Sequence, residues 1–273
     1  MKTTTKNDSG RLRRVEGRHN ALVKELRQGF SRGEVTGSGE CAIEGFHVIE
    51  EAVRSGLRMR AIFFSESAEP RAHKLLPQIA SQAEALLLPD KLFSSAVPSQ
   101  TPQGVAALAY VKSFTADAVI QSSSPGPVLV IAGVQDPGNL GTIIRSAEAF
   151  GAKGILLGEG TVSAYNSKVV RSSAGSVFRV PLAKASMETA IELLRLNSFR
   201  LLATSSHKGT TLSEADLSGA TAVFIGNEGA GIDKKLLAQM DELIMIPHSA
   251  KVESLNAGVA ASIVLYEAAR QKT

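Results

Sequence analysis

The 273-residue chain has no tryptophan, three tyrosines and one cysteine, Cys41. A single cysteine excludes an intramolecular disulfide and any zinc site built on cysteine. As a small apolar side chain, Cys41 belongs in a core. No apolar run approaches the ~20 residues that cross a bilayer, and the longest, residues 128–134 and 257–266, are too short. The opening stretch, MKTTTKNDSGRLRR, has none of the apolar core of a secretory signal. These absences point to a cytoplasmic protein with neither membrane nor metal as a partner. At 44% apolar residues the chain can build a real core. Its net charge is only +4, but it is unevenly placed: residues 1–32 carry +6 and the other 241 sum to −2. A basic arm on a near-neutral body suits a polyanion such as nucleic acid.

The length suggests about two domains. Residues 1–14 are polar and aperiodic, and the expectation is a disordered basic tail. Residues 20–28 form an amphipathic helix with Leu22, Val23 and Leu26 on one side. Residues 32–39, rich in glycine, read as a loop. Helix (46–55), strand (61–64), helix (74–81), strand (85–88) and strand (104–111) follow, so that residues 15–114 make a small α/β unit. Serines, prolines and a glycine mark residues 115–127 as a linker. From residue 128 to 273, apolar strands (128–134, 154–157, 200–203, 222–225, 243–246) alternate with helices (140–150, 187–197, 234–240, 255–271). Short continuous apolar strands between helices indicate an α/β fold with a parallel sheet covered on both faces.

In such a sheet, ligands bind outside the carboxyl ends of the strands. Three segments leave those ends with unusual residues. In QDPGNLGTIIR, Asn139 can cap the following helix, and Arg145 lies about one and a half turns further on. IGNEGAGI follows the strand TAVFI; its glycines let a backbone approach a ligand closely, and Glu228 places a carboxylate among them. The spacing matches neither a dinucleotide fingerprint nor a P-loop. IPHSAKVESLN precedes a helix rich in small residues, with Ser254 as a natural cap. His248 has the chemistry of a general base but no second ligand at metal spacing, and reads as a surface histidine with its hydrogen bonds satisfied.

These segments, N-L-G-x-x-x-R-x-A, G-N-E-G-x-G and S-L-N in that order, resemble the SpoU (TrmH) family of the SPOUT methyltransferase superfamily. GILLGEGTVSAYNSKVVRSSAGSVFRVPL between them is similar too. In the first half, RHNALVKELR, CAIEGFHVIEEAV and TPQGVAALA are similar to the substrate-binding domain that many members carry. Ala250, His248 and Ser163-Ala164 depart from the family's usual residues, though none is a signature position. The resemblance implies a C-terminal α/β knotted (trefoil) fold preceded by a small α/β domain like that of RNA-binding ribosomal proteins. It implies a homodimer and S-adenosylmethionine as cofactor, held by Thr204, Ser205, Gly226, Asn227, Gly229, Ile246 and Leu255. It implies methylation of a ribose 2′-hydroxyl, in ribosomal RNA first and transfer RNA second, with Asn139, Arg145, Glu228, Ser254 and Asn256 as catalytic residues. Arg18, Asn20 and Lys24 match RNA-binding positions, and Arg11, Arg13 and Arg14 extend that patch.

A ribose hydroxyl is a poor nucleophile near neutral pH, so it must be oriented and relieved of its proton. A guanidinium stays protonated in proteins, which suits Arg145 to binding phosphate and stabilising a developing alkoxide. Whether Arg145 or Glu228 handles the proton stays open at this level. Two other readings stand beside this one: a SPOUT enzyme that methylates a base, and a catalytically idle RNA-binding or assembly factor.

Overall fold

The computed structural model describes residues 11–227, 229 and 231–272. The chain divides into two compact units. The first ends at Lys112 and takes in Tyr165–Val170; the second is formed by Ser113–Ala164 and the chain from Arg171 onward.

The first unit contains β1 (Leu12–Arg14), α1 (Ala21–Arg32), β2 (Glu40–Glu44), α2 (Phe46–Arg54), β3 (Met59–Ser65), α3 (Glu69–Leu75), β4 (Glu84–Leu88), α4 (Asp90–Ser94) and β5 (Val105–Tyr110). They build a five-stranded sheet in the order β1-β4-β3-β5-β2. β1 and β3 run parallel to β4, while β5 is antiparallel to both β3 and β2. Alternate residues of the strands face opposite sides. Phe63, Leu86 and Leu108 meet Val23 and Leu26 of α1 and Phe93 of α4 on one face. On the other face, α2 packs on β2 and β5, and α3 on β3. Each fully buried large side chain contributes roughly 1.5–3 kcal/mol.

Four expectations change here. Residues 12–14 are a parallel edge strand, not part of a disordered tail; residues 1–10 lie outside the described residues. The backbone of 12–14 finds its partners on Leu86 and its neighbours, and Arg11 donates to the carbonyls of Leu76 (2.9 Å), Ile79 (3.0 Å) and Ala80. Helix α1 runs to Arg32, where Gly33 at φ +61° stops it in the left-handed conformation. The helix expected at 74–81 lies earlier, because Pro70 starts it and Pro77 turns its end into a 3-10 turn, Leu76–Gln78. A strand, β2, occupies Glu40–Glu44, with Cys41 buried in it; burial pushes its thiol up to about 12, which makes it inert.

The second unit contains α5 (Ala116–Ile120), β6 (Val128–Ala132), α6 (Pro137–Ala149), β7 (Gly154–Leu157), α7 (Ser167–Ser172, which straddles the division), β8 (Leu182–Lys184), α8 (Met187–Leu196), β9 (Arg200–Ser205), β10 (Thr210–Thr211), β11 (Thr221–Gly226), α9 (Lys234–Leu237), β12 (Glu242–Met245) and α10 (Ala257–Arg270). Seven strands form one sheet in the order β10-β12-β9-β11-β6-β7-β8, and every pairing is parallel. The apolar strands fill both faces. Val130, Leu156, Leu201 and Phe224 pack with α5 and α8 on one side, while α6 and α10 pack on each other and reach β7 and β11. Residues 115–127 are therefore not a plain linker: Val119 and Ile120 of α5 belong to this core. Among the described residues no helix is long and apolar enough to cross a membrane.

One connection shapes the site. β12 lies three strands from β6, yet α10 packs on α6, which follows β6. Residues 246–256 must therefore cross the carboxyl ends of β9 and β11.

Candidate active site

That crossing encloses a cavity of about 440 Å³ at the carboxyl ends of β9, β11 and β12. Thr204, Ser205, Gly226, Asn227, Gly229, Ile246 and Leu255 all line it. So do Ile225, Ile232, Ile244 and Ala257, which add apolar wall, and Ser206, His207, His248 and Glu253. These last eight were not singled out as cofactor residues. The apolar ones carry no chemical signal of their own, and only their position beside β9, β11 and the crossing segment reveals them.

The glycine loop closes on itself, because Asn227 and Gly231 exchange backbone hydrogen bonds of 3.2 and 3.0 Å. Gly226 must be glycine: a Cβ there would stand 2.6 Å from the carbonyl carbon of Gly231. Asn227 ties the loop to the turn after β6, donating from Nδ2 to the carbonyl of Gly133 (2.8 Å), while its Oδ1 accepts from the amide of Gly229 (2.9 Å). Thr204 donates its hydroxyl to the carbonyl of Phe224 (3.2 Å), joining β9 to β11. Glu228 lies outside the described residues.

The first and third segments meet at this edge. Asn139 does not cap α6. Asp136 does, accepting from the amide of Asn139 (2.9 Å), and Pro137 takes the first helical position that proline favours. The Oδ1 of Asn139 accepts from Nδ2 of Asn256 (2.8 Å). Ser254 does not cap α10 either. Asn256 does, with its Oδ1 on the amide of Val259 (3.1 Å), and Ser254 stays on the cavity wall. Gly258 lets the helices approach, since a Cβ there would meet Thr142 at 3.1 Å. Further along the same seam, the hydroxyls of Ser146 and Ser262 bond at 2.7 Å. Arg145 stands beside this seam, exposed and without an ion pair among the described residues. His248 is satisfied, its Nδ1 lying 2.8 Å from the carbonyl of Ile246, but it belongs to the cavity wall rather than open surface, with its ring centroid 6.1 Å from that of His207.

In the first unit, Arg18 and Lys24 are exposed at the start of α1. Asn20 is the helix cap, accepting from the amides of Leu22 and Val23 at 3.0 and 3.3 Å. Arg13 pairs with Glu84 at 2.9 Å, and Arg14 with Glu66 at 3.2 Å and Glu69 at 3.7 Å. Arg11, Arg13 and Arg14 are thus engaged within the unit. Among the described residues, no group of three or more His, Cys, Asp or Glu is placed to hold a metal.

The cavity fits S-adenosylmethionine. Its volume lies within the ~300–1,000 Å³ of small-molecule sites. Isoleucine and leucine side chains suit a flat purine, and the closed glycine loop presents backbone where a side chain would intrude. The model of the SpoU rRNA methylase family matches residues 126–266, and that of an MRM3-like substrate-binding domain matches residues 20–107. The 23S rRNA (guanosine(2553)-2′-O)-methyltransferase RlmP of Bacillus subtilis is 31% identical over 255 residues, 93% of this chain and 98% of that one. The crystal structure of an AdoMet-bound rRNA methyltransferase from Sinorhizobium meliloti superposes with a TM-score of 0.84 at 27% identity, covering 97% of this chain and 100% of that one. The SpoU methyltransferase AviRb of Streptomyces viridochromogenes, in complex with AdoMet, gives 0.81 at 26% identity, covering 93% and 98%. Fold and cavity thus define an RNA methyltransferase that uses S-adenosylmethionine. The chain belongs to the SpoU rRNA methylase family.

Proposed function

We propose that the chain methylates a ribose 2′-hydroxyl, in ribosomal RNA first and transfer RNA second. The observation that carries this reading is the Asn139–Asn256 hydrogen bond, which joins the first and third segments beside the cavity that Ser254 lines. The Bacillus subtilis relative, named for 2′-O transfer to 23S rRNA, supports the choice of oxygen and substrate.

S-adenosylmethionine supplies an electrophilic methyl group on a sulfonium. The chain must bring the 2′-oxygen into line with it and take up the proton that oxygen loses. Arg145, exposed beside the seam, has the bidentate fork for the adjoining phosphate and the fixed charge for the developing alkoxide. Asn256, held by Asn139, and Ser254 orient the ribose. Glu228 or Arg145 handles the proton, with the carboxylate the stronger acceptor by chemistry. Gly226, Asn227, Gly229, Thr204, Ser205, Ile246 and Leu255 hold the cofactor. The knotted path that the resemblance implies agrees with the crossing of residues 246–256. The first unit supplies RNA affinity through Arg18 and Lys24.

The working form is a homodimer in the cytoplasm. Val259, Ile263 and Tyr266, at helical spacing on α10, are 47%, 36% and 55% exposed, a stripe that a second copy would cover. Asn256 caps the same helix, which puts that surface next to the catalytic residues.

The test is methyl transfer from labelled S-adenosylmethionine into RNA, followed by nucleoside analysis. Label in a 2′-O-methylnucleoside, lost with Arg145→Ala, is the expected result. Label in a base overturns the ribose assignment, and cofactor binding with no transfer to any RNA favours an idle binding factor.

A further inference from the structure

The second unit has another cavity on the same carboxyl edge, of about 380 Å³, at the ends of β7 and β8. Leu157, Val162 and Ala185 give it apolar walls, and Lys184, Glu159, Thr161 and Ser186 give it polar ones. The turn 158–161 contributes backbone. Gly160, at φ +75°, has no protein atom closer than 3.8 Å to where a Cβ would stand, so the main chain there is accessible.

Its position gives it meaning. The cofactor cavity lies at the ends of β9, β11 and β12, and the second cavity at the ends of β7 and β8; β6 runs between them. The turn after β6 leads into α6, which carries Asn139 and Arg145. Gly133 in that turn bonds to both sides. Its carbonyl accepts from Asn227 of the glycine loop (2.8 Å), and its amide donates to Thr161 of the second cavity (3.2 Å). The amide of Val162 donates to the carbonyl of Val134 (3.0 Å), a second tie to the same turn. The two cavities therefore flank one turn, their nearest strand ends, those of β11 and β7, lying two strand spacings apart, roughly 10 Å. A nucleotide next to the target ribose has that reach.

We infer that the cavity at the ends of β7 and β8 is a subsite for an unpaired nucleotide adjoining the methylated one. Its base lies against Leu157, Val162 and Ala185, and its phosphate meets the ammonium of Lys184. Recognition of unstacked bases in single-stranded segments is how proteins commonly read RNA sequence. The inference rests on the RNA-methyltransferase reading and adds to it a site that selects sequence context.

The test measures RNA binding and RNA KM for the full chain with Lys184→Glu, which reverses the charge, and Ala185→Phe, which fills the cavity. Melting curves check folding, and calorimetry with S-adenosylhomocysteine checks the cofactor site. Expected are a rise of about tenfold in RNA Kd and KM for Lys184→Glu, which lies exposed at a strand end, and cofactor affinity within about twofold of the parent. Folded variants whose RNA Kd and KM stay within about twofold overturn the subsite, as does a loss confined to cofactor binding. If the parent binds RNA but transfers no methyl group to it, the methyl-transfer reading falls, and the ratio of RNA Kd values still decides the subsite.

Discussion

Asn139 and Asn256 are 117 positions apart in the chain and 2.8 Å apart in space. The side-chain amide of Asn256 does two jobs. Asn256 caps α10 through its oxygen and reaches Asn139 through its nitrogen, so loss of either side chain disturbs the site. Arg145 is different: it is exposed and makes no ion pair among the described residues. Arg145→Ala should keep the melting temperature and the cofactor affinity while kcat falls about 10²–10³-fold, the usual cost of removing one stabiliser of developing charge. Steady-state kinetics beside calorimetry checks this; a kcat within a few-fold of the parent would remove Arg145 from the mechanism. Glu267 gives the fold an acid-sensitive point. Hydrogen bonds from Arg270 and Gln271 hold its carboxyl at about 2, against an ordinary 4.5. Its contribution is complete above the ordinary value and is lost as pH falls through 4.5 towards 2. The same side chain of Gln271 also binds Leu217 and Ala215, so the network fastens the end of α10. Melting curves from pH 5 to 2 should fall more steeply for the parent than for Glu267→Gln.

At the scale of elements, α10 presents two faces. One packs on α6 through Gly258 and Ser262; the other exposes Val259, Ile263 and Tyr266. Ile263→Asp should convert a dimer to a monomer in sedimentation experiments while each chain keeps its helical signal, and a parent already monomeric would dismiss the dimer. The glycine loop allows an equally local test. Gly226→Ala sets a methyl against the backbone of Gly231, a clash that typically costs about 1–3 kcal/mol. Cofactor affinity should drop at least tenfold with little change in the rest of the fold. The strands of the parallel sheet were legible because buried parallel strands are continuous apolar runs such as GILL and TAVFI. β1, β2, β8 and β10 were not: LRR is charged, ECAIE begins and ends with a carboxylate, LAK is three residues long and TT only two. Helix starts slipped where two residues could each cap, Asp136 or Asn139, and Ser254 or Asn256. Side-chain type proposes a cap, but which backbone amides are left free decides it.

Over the whole molecule, the three segments were recognisable as motifs, but periodicity alone does not reveal that residues 246–256 cross two strand ends to enclose a cavity. That path depends on contacts between distant elements, α10 with α6 above all. The basic arm also changed meaning in three dimensions. The sequence makes residues 11–14 part of a disordered basic tail, whereas the fold places 12–14 in β1, uses Arg11 to close carbonyls and pairs Arg13 and Arg14 with glutamates while leaving both exposed. Arg18 and Lys24 remain exposed, and replacing both with alanine should reduce the salt slope of RNA binding by about one unit per lost phosphate contact. An unchanged slope would place the RNA elsewhere. The claim that unites these scales is transfer to a ribose oxygen. The most direct test is a nucleoside mass analysis of RNA from cells with and without this protein, the latter supplied again with the parent or with Arg145→Ala. The account predicts one 2′-O-methylnucleoside that disappears without the protein, returns with the parent and stays absent with the variant. A base methylation that follows the same pattern, or identical RNA in all four samples, would contradict it.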